Sequence, residues 1–231
     1  MKGLRRLLAA GGMMAAVFAA EPVPVSVRTA PGRVEIAAVD ASVAHALATS
    51  AEEAWRVLAG PQALPASFPS PVFVRVDAPD SAGDPAPFRV VVEPGGVVSV
   101  RIPRTAVGHA TAQRALVQGL LMRLAVAQRG VNERLAAPLW LEHACVGWWH
   151  TRGAAAQLDA LKQESTQLPV PTIEVLLTWR RGGVEPRDLT AGAVWLLTFL
   201  QAESGRGREW PDLLQRLLGG EEPLAALSAA Y

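Results

Sequence analysis

Cysteine is nearly missing from this chain: Cys145 is the only one in 231 residues. An internal disulfide is therefore excluded, and the core must hold by burial alone. Cys145 sits between Ala144 and Val146 in an apolar run, which marks it as a small buried hydrophobe. Charge is also sparse and balanced. Charged residues make up 19% of the chain and the formal net charge is +1, with no basic run longer than Arg180-Arg181. Nothing in that balance points to nucleic acid. Histidine is limited to His45, His109, His143 and His150. His143 and His150 share a helical face but stand ~10 Å apart along its axis, too far for one tetrahedral ion. His109 alone could approach His143, so no metal and no cofactor is expected. No Gly-x-Ser-x-Gly elbow surrounds Ser99, Ser165 or Ser204. His143 and Cys145, two apart on one helix, fall on nearly opposite faces and cannot pair. Gly95-Gly96 and Gly182-Gly183 are turn signals, not phosphate loops. Beyond the first twenty residues, no apolar run reaches the ~18 residues of a membrane span.

The leader is what such a run would look like in short form. Lys2, Arg5 and Arg6 precede an apolar stretch over residues 7–18, followed by Val17-Phe18-Ala19. That is the pattern of a secretory signal peptide, with cleavage expected near Ala19 or Ala20. An uncleaved anchor is the alternative, and no cysteine follows the stretch to carry a lipid. The expectation is residues 1–19 as signal peptide and 20–231 as a single secreted or periplasmic domain.

With half of its residues hydrophobic, the mature chain can bury a full single-domain core. Residues 23–28 and 33–38 read as strands, the second by strict alternation. Asp40 or Ser42 can cap a helix whose apolar face is Val43, Leu47, Ala54, Trp55 and Leu58, stopped by Gly60-Pro61. A strand over 72–76 follows, then a hairpin of 88–92 and 97–102 around Glu93-Pro94-Gly95-Gly96. After Pro103 every periodic segment is helical: 111–128, 138–150, about 153–163, 172–180, 189–203, 208–218 and 221–229. Pro171, Pro211 and Pro223 fall where a first helical turn tolerates proline. The expected class is α+β: a small mixed or antiparallel sheet with one packed helix over 20–104, then a helical half over 105–231.

The chain turns on the helices at 111–128 and 138–150. At 100° per residue, Arg114 and Gln118 lie about 40° apart, at the edge of the apolar arc of Leu116, Val117, Leu120, Leu121 and Leu124. In a zinc peptidase that is where two histidines four apart would hold the metal, with the general base beside the first.

The stretch Pro138-Leu139-Trp140-Leu141-Glu142-His143-Ala144 resembles the Pro-x-Trp-Leu-x-Glu-Gly segment of the gluzincin, or peptidase MA-like, zinc metallopeptidases. The tail is similar too: Ala193 to Leu200, Glu203-Ser204-Gly205, Trp210 to Gly219, and Pro223 to Leu227. The resemblance spans about residues 70–231 and implies a thermolysin-like helical half. Carried across, it puts the first zinc histidine on Arg114, the base on Ala115, the second histidine on Gln118 and the third ligand on His143. Each is changed. Arg114 keeps a fixed charge that repels a cation, Ala115 has no group to accept a proton, and His143 alone cannot hold a catalytic metal. The resemblance thus implies a pseudopeptidase with a peptide or an envelope protein as partner. Arg114, Gln118, Trp140 and His143 would line a ligand cleft, Trp148 and Trp149 being further wall candidates, and residues 97–102 would be the sheet edge that pairs with an extended peptide. The alternative is a hydrolase using a non-standard site in the same cleft. Its available carboxylates are Glu142, Glu185 and Asp188, all expected to be exposed or capping groups.

Overall fold

A computed structural model describes residues 23–30, 32–59, 68–77, 88–132, 135, 137–151, 155–180, 187–203 and 209–231. The leader, Gly60-Pro61, Gly182-Gly183, Glu185, Ser204 and Gly205 lie outside them. The fold is α+β, with one α-helix between the second and third strands and the other α-helices after the last strand. Five strands are β1 (Val25–Arg28), β2 (Val34–Ala38), β3 (Val72–Asp77), β4 (Arg89–Val92) and β5 (Val98–Pro103). They form one mixed sheet in the order β1-β2-β3-β5-β4, with β2, β3 and β5 parallel and β1 and β4 antiparallel at the two edges. The hairpin forms as its glycines require: Gly96 takes φ +78°, a conformation glycine enters without penalty, and its N–H donates to Glu93 O at 2.8 Å. One expectation is overturned. Residues 97–102 are not an edge, because β5 is paired on both sides. The chain leaves β3, lays down β4 outermost, and returns through β5 to fill the gap.

Helix α1 (Ala41–Ala59) starts at Asp40, whose Oδ1 accepts from Ser42 N and Ser42 Oγ. Those bonds hold the Asp40 carboxyl below its usual range. Its face of Ala44, Leu47, Ala51, Ala54, Trp55 and Leu58 is buried over β1 and β2. A second helix also covers the sheet: α2 (Ala110–Arg129) packs on β5, β4 and β3. Gly119 makes this approach possible. A Cβ there would come 2.6 Å from Val100 Cγ2 and 3.2 Å from Val72 Cγ1.

The helical half follows as α3 (Leu139–Thr151), α4 (Ala155–Ser165), α5 (Ile173–Leu177), α6 (Arg187–Glu203), α7 (Glu209–Leu218) and α8 (Pro223–Ala230). Pro223 occupies the first turn of α8 under a Glu222 cap, whereas Pro171 lies just before Thr172, the cap of α5. α5 is shorter than the expected 172–180. Thr178 ends it, donating its hydroxyl to Glu174 O at 2.6 Å, and leaves Trp179 outside the helix. α3 and α6 pack through Gly147, where a Cβ would collide with Val194 Cγ2. The halves are tied at the end of α1, whose last carbonyls need donors: Val57 O accepts from Gln201 Nε2 and Leu58 O from buried Trp210 Nε1 at 3.3 Å. No helix among the described residues is long and apolar enough to cross a membrane.

Gly119→Ala gains helix propensity worth ~1 kcal/mol but forces a methyl against a β-branched residue in a paired strand. We expect a net loss of about 1–3 kcal/mol in urea unfolding. Val100→Ala in the same chain removes the obstructing methyls, so the double variant should lose less than the sum of the singles. Simple additivity would show that the contact does not limit α2.

Candidate functional site

The first turns of α2 meet the middle of α3, and this contact holds the residues singled out from the sequence. Arg114 is half-buried on α2 and His143 is 4% exposed on α3; Arg114 Nη1 lies 3.2 Å from His143 Nε2. Twenty-nine residues separate them in the chain. A guanidinium can only donate, so His143 Nε2 must be the acceptor and the ring proton must sit on Nδ1. A doubly protonated ring would place two cations against each other there. The imidazole also lies against Trp179, with ring centroids 4.5 Å apart and planes at 33°.

A second link runs beside the first. His150 Nε2 and Gln113 Oε1 are 2.6 Å apart on the exposed side, the ring N–H donating to the amide oxygen. Gln113 and Arg114, adjacent on α2, thus reach residues two turns apart on α3.

The remaining residues divide between margin and interior. Gln118 is half-buried, one turn further along α2, and no hydrogen bond joins it to Arg114 or His143 among the described residues. Ala115 is completely buried. Trp140 has no exposed surface, so it stands in the core beneath the helix instead of walling an open cleft. Trp148 and Trp149 are half-buried against the core. The furrow at these positions is therefore largely closed.

Glu142 and Trp179 also differ from the sequence expectation. Glu142, expected to be exposed or capping, is 1% exposed. Its neighbours Leu141 and Ala144 are both in the core, and a carboxylate inside the run Trp-Leu-Glu-His-Ala-Cys was the available signal. Cys145 is buried as expected; burial first, then the charge of Glu142, pushes its thiol well above the ordinary range, so it is unreactive. Trp179 is the other. Nothing periodic in Thr178-Trp179-Arg180 marks it as the ring that covers His143.

His45 Nδ1 donates to Ala41 O at 2.8 Å within α1, and His109 is the N-terminal flank of α2 without a side-chain cap. Among the described residues no group of three His, Cys, Asp or Glu is placed to hold a metal ion. A cavity of about 250 Å³ beside α6, lined in part by Pro171, Leu176, Asp188 and Trp195, includes none of the residues above. Asp188 there is half-buried in the first turn of α6.

The site thus belongs to an α+β chain in which two helices are joined by an arginine–histidine hydrogen bond. Comparison with protein-family models, curated proteins and solved structures gave no match.

The tautomer is directly measurable. In nitrogen NMR at neutral pH, His143 should show a protonated Nδ1 and a bare Nε2, and Arg114→Ala should abolish that preference. A ring protonated at Nε2 in the intact protein would break the proposed bond.

Proposed function

We propose that this chain is a catalytically silent protein on a gluzincin-like, thermolysin-type scaffold, acting in the cell envelope by binding an extended peptide or a partner protein. One observation carries the reading. Arg114 and His143 occupy the positions that the resemblance gives to the first and third zinc ligands, and they touch across α2 and α3 at 3.2 Å. Where a metal would bridge the two helices, a hydrogen bond bridges them. The guanidinium supplies the positive charge and the imidazole the lone pair. Neither leaves room for an ion, since the guanidinium cation repels one and the imidazole lone pair is already taken. Ala115, at the base position, is both inert and buried.

The binding edge moves with the strand order. In active relatives an edge strand beside the zinc helix pairs with substrate, and here that place falls to β4, beside α2 and hydrogen-bonded only to β5. Val90 and Val92 of β4 are opposite Val100 and Val98, facing α2, while Arg89 and Val91 face the other way. An added strand would continue that alternation, with apolar residues beside the valines and an acidic one beside Arg89.

The hydrolase alternative finds its one support in buried Glu142. Adjacent helical residues point about 100° apart, so Glu142 does not share the face on which His143 meets Arg114.

Purified protein exposed to zinc and then desalted should hold no stoichiometric metal and cleave no peptide. The combined change Arg114→His, Ala115→Glu, Gln118→His and His143→Glu should restore one zinc per chain if the scaffold reading is right. A folded quadruple variant that takes up no zinc would sink the scaffold claim, and zinc-dependent cleavage by the natural chain would sink the silent one. Extended peptides alternating valine and aspartate should slow deuterium exchange at 89–92; exchange unchanged there would remove β4 as the edge.

A further inference from the structure

Among the described residues, the helices that pack on the sheet, α1 and α2, cover one of its faces. Strand register fixes what stands on the other. Arg75 of β3 is opposite Arg101 of β5, and Arg101 is opposite Arg89 of β4. Three arginines therefore stand in one row across three strands, spaced by the ~4.8 Å between neighbouring strands. All three are exposed. Like charges directly opposite one another destabilise a sheet, and one carboxylate relieves the row: Asp77 Oδ1 takes Arg101 at 3.0 Å. Arg75 and Arg89 have no ion pair among the described residues. With a net charge of +1 for the whole chain, this concentration is local and not a by-product of a basic protein.

The next row on the same face is different. Glu35, Phe73, Ser99 and Val91 are opposite one another across β2, β3, β5 and β4, with Glu35 accepting from the Ser26 hydroxyl and Glu93 from the Ser99 hydroxyl. Phe73 is 38% and Val91 37% exposed. This face thus sets a line of guanidinium groups beside a line with two bared apolar side chains and two carboxylates engaged by serine hydroxyls.

We propose that this face docks on an anionic phospholipid surface, with Arg75, Arg101 and Arg89 on headgroup phosphates and Phe73 and Val91 at the edge of the acyl region. A straight row of three gives a single dissolved anion few contacts, because at this strand spacing it can touch one or two guanidinium groups at a time. A plane of many phosphates meets all three at once, and arginine is the side chain suited to phosphate oxygens. The bared Phe73 and Val91 gain nothing from a dissolved anion, but have a place at a lipid interface. This docking needs only the sheet and its register, so it stands or falls independently of the zinc-site reading.

Vesicle flotation of the full chain tests it. Binding is expected to vesicles of phosphatidylcholine mixed with phosphatidylglycerol and not to phosphatidylcholine alone, and it should weaken as salt rises. Arg75→Gln and Arg89→Gln should each lower partitioning roughly fivefold, and Phe73→Ser should lower it as well. The hydrophobic residues 7–18 are common to all variants, so the differences report on the face. Melting temperature separates a docking role from a structural one: removing Arg75 or Arg89 deletes a like-charged neighbour and should leave it unchanged or raise it. Three results would overturn the proposal. They are no preference for the anionic vesicles, binding that survives the Arg75→Gln, Arg89→Gln double variant, or saturable binding of inorganic pyrophosphate by a chain that ignores vesicles.

Discussion

The close seating of α2 on the sheet is the constraint from which the other relationships follow. It is possible because position 119 carries no side chain where Val72 and Val100 press upward. Four residues later the same helix buries a cation. Arg123 is 4% exposed and, among the described residues, has no ion pair; it donates to Ser70 O at 2.9 Å and Gly96 O at 3.0 Å, its charge lying over the Phe68 ring. Burial lowers its hold on its proton, yet an arginine starts so high that it stays charged. Two carbonyls and a ring face are what offset its desolvation. Phe68 in turn meets Trp55 edge-on at 5.3 Å, and Trp55 lies under Arg33, which pairs with Glu52 at 2.9 Å. A continuous line of two rings with a cation at each end thus ties α2, the entry to β3, the β4–β5 turn and α1. At its other end α2 presents Arg114 to α3.

Much of this was legible because the signals are local. Period-two alternation located the strands, and apolar stripes located the helices to within a few residues, since each depends on neighbours in sequence. Strand order depends on who pairs with whom across long separations. The patterns of β3 and β5 are alike, so alternation alone does not say which is interior. The usable hint lay in β4: four residues, opened by an arginine after a Pro- and Asp-rich connector, have the look of a short charged edge. Arg114 and Gln118 could be placed on one helical edge by arithmetic, but their partners could not. Whether His143 met Arg114 depended on how two helices pack, and Trp179 reached the imidazole only because Thr178 cut α5 short. Glu142 was misjudged for a related reason: a carboxylate in an apolar run is ordinarily a solvated face, and only the packing of α3 on both sides takes it inside.

The arginine–histidine bond between α2 and α3 has a modest energetic weight. A charged hydrogen bond contributes about 1.5–3 kcal/mol. The helices of the second half are held to α1 and to one another by further contacts. Gln201 and Trp210 close the end of α1, Gly147 lets α6 lie directly on α3, and the Tyr231 hydroxyl donates to Leu200 O at 2.5 Å. These contacts join α1 to α6 and α7, α3 to α6, and the C-terminus to α6, so the packing of the second half does not rest on the Arg114–His143 bond alone. What the sheet shows on the side away from α1 and α2 is a different balance: Arg75, Arg101 and Arg89 stand in one row, and Asp77 takes Arg101 at 3.0 Å, so part of their mutual repulsion is relieved within the sheet itself.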